Sequence, residues 1–211
     1  MRHIKRLPVP QILSDRGNLW LQAMIDKNLL RPDPSKYGNP AIRRDLNSMS
    51  STKCFYCETN LKGLIKEIDH FIEVKVNRDL SYIWENLYLA CTNCNDKFDE
   101  NVISTNACLN PCIHSDEEIQ QELTFIDEVI LPRNNSQMGR LTITKYRLDT
   151  ESLDFLRMKQ LQIVTKLVIT ILQANSGKLP EAERTILRHY MQRETQYSLM
   201  FKVYIDTLLQ I

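Results

Sequence analysis

The chain has 211 residues, 43% hydrophobic and 25% charged, an ordinary globular composition with room for one sizeable domain or two small ones. Lys and Arg number 27 against 26 Asp and Glu, a net charge of +1, so no global basic field draws it to a polyanion. No apolar run approaches the roughly twenty residues of a membrane-spanning helix, and the opening MRHIKRLPVPQIL lacks a signal-peptide core, so the expectation is a cytoplasmic chain.

Residues 1–53 read as a helical lead-in. Pro8 and Pro10 keep the start extended, because proline and the residue before it disfavour helix. Leu19, Leu21, Met24, Ile25 and Leu29 predict one apolar helix face over 18–30, and Ala41 to Met49 predicts a second helix after the loop RPDPSKYGNP. Arg43, Arg44 and Lys53 are candidates to meet phosphates, with a solvated surface as the simpler reading.

Residues 54–115 form the second segment. Two Cys-x-x-Cys pairs, Cys54/Cys57 and Cys91/Cys94, suit one tetrahedral zinc, since each two-residue spacer folds into a knuckle that aims both sulfurs inward. Such pairs favour reduced thiolates over disulfides. A four-thiolate zinc is coordinatively closed: it staples a fold and activates no water. Between the knuckles lie Asp69, His70 and Asn86, with Asn95 just after the last cysteine, which together supply ligands for a hard cation and a general base. Residues 65–71 predict a first strand, with Glu67, Asp69 and Phe71 on one face and Ile68, His70 and Ile72 on the other. A regular strand would therefore point Asp69 and His70 apart, so a shared site requires it to end or twist there. Leu87 to Leu89 lead into the second knuckle, and residues 94–100 predict a helix with Asn95 on its first turn. Cys108, Cys112 and His114 are an incomplete metal set and read more simply as small buried side chains.

Residues 116–211 form the third segment. Leu123 to Leu131 predict a strand, and the β-branched run Leu141 to Tyr146 its hairpin partner. Thr150 or a neighbour caps a helix striped by Leu153, Leu161, Val164, Val168 and Ile171, which Asn175-Ser176-Gly177 ends. A last amphipathic helix is expected over 181–210. These helices close the core, with a partner-binding surface as the sharper alternative.

The spacing of Cys54, Cys57, Asp69-His70, Asn86, Cys91, Cys94 and Asn95 resembles the HNH nuclease motif. The resemblance narrows with MRHIKRLPVPQIL, Cys54-x-Tyr56-Cys57-Glu58, Asp69-His70-Phe71 followed by Lys75, Trp84-Glu85-Asn86-Leu87, Leu109-Asn110-Pro111-Cys112, Gly139-Arg140-x-Thr142-Ile143 and Arg157. Over about residues 1–160 these are similar to the PtuB family, the HNH subunits of Septu and retron-associated anti-phage systems. The group often has Glu where this chain has Asp69, and Pro where it has Glu73. The implied fold class is α+β: a zinc-stapled ββα-metal core with N-terminal helices, a short β-hairpin and a C-terminal α-helical hairpin.

The implied activity is metal-dependent phosphodiester hydrolysis, with His70 as general base and a single Mg²⁺ or Mn²⁺ on Asp69 and Asn95. Asn86 braces the loop that orients His70, and Lys75 or Lys97 meets substrate phosphate. DNA or RNA is the implied substrate, a PtuA-type ATPase the implied partner, and the C-terminal helices its docking elements. Without catalysis, the same cysteines describe a zinc-stapled module that binds nucleic acid or protein.

Overall fold

The computed structural model describes residues 1–209. Residues 1–10 are extended, and three helices follow: α1 (Gln11–Asp26), α2 (Pro34–Tyr37) and α3 (Pro40–Ser50). α1 starts earlier than expected, because its cap is Pro10 itself, and it buries Leu13, Gly17 and Met24. Leu19, Ile25 and Leu29 of the predicted face point to solvent. α2 is one turn inside the expected loop, started by Asp33, whose side chain accepts from Ser35 N at 2.9 Å. Asn39 caps α3 in the same way, and Pro40 takes the first-turn position, where a missing N–H costs nothing.

β1 (Glu67–His70) and β2 (Leu87–Ala90) pair antiparallel, Asp69 opposite Tyr88 and His70 opposite Leu87. β1 is shorter than predicted, since Ile65 lies in an exposed loop. The helix at the second knuckle, α4 (Thr92–Asn95), is a single turn that contains Cys94, and Asn95 is its last residue instead of opening a longer helix. Residues 96–100 leave the helix as Lys97 turns inward and Phe98 N binds Lys145 O at 2.9 Å.

α5 (Asp116–Glu122) opens with a reciprocal Ser115–Glu118 capping box. β3 (Leu123–Ile126) and β4 (Val129–Pro132) make a tight hairpin around Asp127, whose φ is 51°. The predicted partner strand at 141–146 is instead α6 (Gln137–Lys145). Ser136 caps it at Gly139 N, and Gly139, Thr142, Ile143 and Tyr146 are buried at helical spacing. Gly139 is required there, because a Cβ would stand 2.1 Å from Glu122 O. Tertiary packing overrides the strand preference of Thr142 and Ile143.

α7 (Glu151–Ala174) follows the expected stripe, burying Leu153, Arg157, Leu161, Val164, Val168 and Ile171. The single last helix is two, α8 (Glu181–Tyr190) and α9 (Ser198–Leu209); position 210 of the prediction lies outside the described residues. Lys53 satisfies the break, since its ammonium binds the freed carbonyls of Arg193 and Thr195. Glu58, in the first knuckle, then caps α9 from across the chain: it accepts from Ser198 Oγ at 2.6 Å and Leu199 N at 3.3 Å. A carboxylate at a helix N-terminus is favoured by the helix dipole. The buried side chains form one cluster from Met1 to Ile205, so the three sequence segments share one core. Among the described residues no helix is long and apolar enough to cross a membrane.

Candidate active site and metal cluster

The knuckles bring Cys54, Cys57, Cys91 and Cys94 together, all four sulfurs within 4.8 Å of one another. Cys57 Sγ and Cys91 Sγ are 3.7 Å apart, close to the edge of a tetrahedron with bonds of about 2.3 Å to a central zinc. Burial, reinforced by the neighbouring sulfurs, pushes the Cys54 and Cys94 thiols well above their ordinary range. A divalent cation is what allows all four to ionise together, so the donor set fits structural zinc. Among the described residues no other cluster of His, Cys, Asp or Glu has this geometry, so Cys108, Cys112 and His114 do not assemble a second one.

β1 stays paired through His70, and Phe71 N extends the pairing to Asn86 O at 2.9 Å. β1 ends on the dipeptide, as a shared site requires, yet the pairing is regular up to that end and the two side chains point apart. Asp69 points inward and is 5% exposed. Its Oδ1 and Oδ2 accept from Lys97 Nζ at 2.8 and 2.9 Å, and Oδ2 also accepts from the Tyr56 hydroxyl at 2.6 Å. Lys97 further donates to His70 O at 2.6 Å and Phe71 O at 3.0 Å, with its side chain 5% exposed. It is a buried strut under the strand end, and all its donors are in use.

His70 faces the other way, lining a cleft of about 610 Å³ with Arg31, Tyr37, Glu73 and Lys75. Nε2 lies 2.9 Å from Ser81 O, which can only accept, so Nε2 carries the proton and Nδ1 keeps its lone pair. Burial pulls the His70 pKa down, outweighing the Ser81 bond and the nearby Asp69, so the ring is neutral at pH 7. Tyr37 stands edge-on to it, centroids 4.9 Å apart at 73°.

Asn86 is buried and ties down the loop that follows β1. Its Oδ1 accepts from Ile72 N at 2.7 Å, and its Nδ2 donates to Ile72 O at 3.0 Å and Leu80 O at 3.2 Å. Asn95 donates to the Glu67 carboxylate. Lys75 is exposed but paired with Glu73 at 2.9 Å and with Asp99. Arg43 binds Gly38 O and Lys66 O, Arg44 pairs with Asp45, and Lys53 is buried, so none of the three lines the cleft. Sequence reasoning missed Ser81, Arg31 and Tyr37. They lie in loops or a one-turn helix, where no periodicity marks them.

Residues 54–99 match the family model of the HNH endonuclease. The chain is also 30% identical over 115 residues to the Septu protein PtuB of Bacillus thuringiensis. That stretch is 54% of this chain and 43% of the relative, so less than half of the relative's length is matched. The four-thiol cluster and the antiparallel β1–β2 pair thus lie in a stretch similar to HNH endonucleases, in a chain similar to Septu PtuB.

Proposed function

We propose that the chain is a nuclease that hydrolyses phosphodiester bonds in DNA or RNA, with His70 as the general base. The observation that carries this is the placement of His70: held through Nε2 by Ser81 O and lining an open cleft, which leaves Nδ1 to take a proton from the attacking water. Asn86 is the positioning residue for the loop that carries Ser81, and Tyr37 limits rotation of the ring. Structural zinc on the four cysteines holds the two strands in register around them.

A divalent ion, when bound in such a site, offsets charge growing on the phosphate and the leaving oxygen. Asp69 does not fit that ion as it stands, because Lys97 and Tyr56 occupy its carboxylate, whereas Asn95 donates to Glu67 through Nδ2, which leaves its ligating atom Oδ1 out of that bond. Asp69 must release Lys97 before it can ligate Mg²⁺ or Mn²⁺. The same observation favours the competing reading, a zinc-stapled module that binds nucleic acid or protein without cutting.

Similarity to Septu PtuB supports a role as effector of a cytoplasmic anti-phage system, held in check by a PtuA-type ATPase. The near-neutral charge agrees with targeting supplied by an assembly. Docking by the C-terminal helices has less room than the sequence suggests, since α9 buries Leu199, Met200, Phe201 and Ile205 in the chain's own core. Incubating the zinc-loaded chain, alone and with a co-encoded ATPase, with plasmid DNA and total RNA in Mn²⁺ tests the reaction class. Cutting of either polymer supports the nuclease. No cutting under any condition supports the binding module.

A further inference from the structure

Three cations lie at or beside the candidate site, and their partners differ. Lys97 is buried under Asp69 with its donors used. Lys75 is held between Glu73 and Asp99. Arg31 is exposed, lines the cleft with His70, and has no hydrogen-bond or ion-pair partner among the described residues. The acid nearest in sequence, Asp33, is turned inward on Ser35, accepting from its N–H at 2.9 Å and its hydroxyl at 2.7 Å.

The loop that carries Arg31 is stiff and pinned on both sides. Upstream, Leu29 N binds Met24 O at 2.9 Å, and Leu29 O accepts from Arg78 at 2.6 Å. Downstream, Asp33 N donates to the Tyr82 hydroxyl at 3.0 Å. Pro32 and Pro34 fix φ on either side of Asp33, which removes conformations the loop would otherwise lose on binding. An unpaired guanidinium on a preorganised loop, in the cleft that His70 also lines, suits a phosphate oxygen pair, which it binds through two parallel N–H bonds.

We propose that Arg31, from outside the HNH module, is the residue that grips the substrate phosphate in the His70 cleft, and that Lys75 and Lys97 do not. This rests on the nuclease reading for its substrate, but binding and cutting are read separately. The probe is a fluorescein-labelled 20-nucleotide strand of DNA or RNA, followed by anisotropy without divalent ions across a salt series. The chains compared are wild type, Arg31→Ala, Arg31→Lys and Lys75→Ala.

Arg31→Ala is expected to weaken binding at least about tenfold and to lower the salt slope by about 0.7, the share of one phosphate contact on a single strand. Arg31→Lys falls between, because it loses the two-bond geometry, and Lys75→Ala stays within about twofold of wild type. In cleavage, Arg31→Ala raises KM more than it lowers kcat. Arg31→Ala binding like wild type, Lys75→Ala losing as much, or wild type binding neither strand would overturn the proposal. Binding that needs Arg31 without any cleavage would keep it and overturn the nuclease reading instead.

Discussion

Asn86→Ala isolates the device that holds the base. The substitution removes the acceptor for Ile72 N at 2.7 Å and the donors to Ile72 O at 3.0 Å and Leu80 O at 3.2 Å. Each lost bond costs about 1 kcal/mol net, and more where the orphaned group stays dry, so the expected destabilisation is about 2–4 kcal/mol. For a chain of this size that lowers Tm by roughly 5–15 °C. Since residues 72–81 also carry Ser81, cleavage at 25 °C should fall further than the folded fraction does. Asn86→Asp sharpens the test. It keeps an acceptor for Ile72 N but turns an oxygen on two carbonyls, so it should be worse than alanine. Urea titration with parallel cleavage rates reads both effects. A change under about 0.5 kcal/mol for Asn86→Ala, or a wild-type-like Asn86→Asp, would refute the bracing role.

Three further outcomes follow from the geometry. Cys91→Ser should abolish one-to-one zinc binding and cooperative unfolding, checked by zinc content and thermal melting; retained zinc with an unchanged Tm would contradict the staple. Lys97→Met leaves Asp69 buried with only the Tyr56 hydroxyl, and should cost about 3–5 kcal/mol in urea, whereas an unchanged midpoint would show that the ion pair holds nothing. Burial favours protonation of Glu58, but the Met1 ammonium, Lys53 and Ser198 outweigh it and hold the pKa at about 2, below the ordinary 4.5. Its stabilisation is therefore complete above pH 4.5 and lost as pH falls through about 2, so the stability gap between wild type and Glu58→Gln should close in acid; a gap that widens would reverse the sign.

The core module was legible because its signals are local. Paired cysteines, the β1 alternation and the start of α7 at Thr150 each need only a few neighbouring residues. What the sequence hid depends on distant partners. α6 carries strand-forming residues and becomes helix because Gly139 meets α5 and Thr142 accepts from Leu109 N at 2.8 Å. The carbonyls opened between α8 and α9 find their partner in Lys53, 140 residues from Arg193. At the site, residue types single out His70, which lines the cleft, and Asn86, which bonds the loop after β1, but ion pairing decides which cations are left without a partner among the described residues. Lys75 and Lys97 look like phosphate contacts until Glu73, Asp99 and Asp69 are seen to hold them. Arg31 and Tyr37 come from a proline-rich loop and a single helical turn, brought to His70 only by the fold.

The most direct measurement is single-turnover cleavage of plasmid DNA and total RNA by wild type and His70→Ala, with zinc content and Tm of both recorded. The expected result is one zinc per chain and an unchanged fold in both, with cleavage in the variant lower by about 10²–10⁴-fold, the loss typical of a general base. Cleavage by a folded His70→Ala chain at the wild-type rate would show that His70 is not the base.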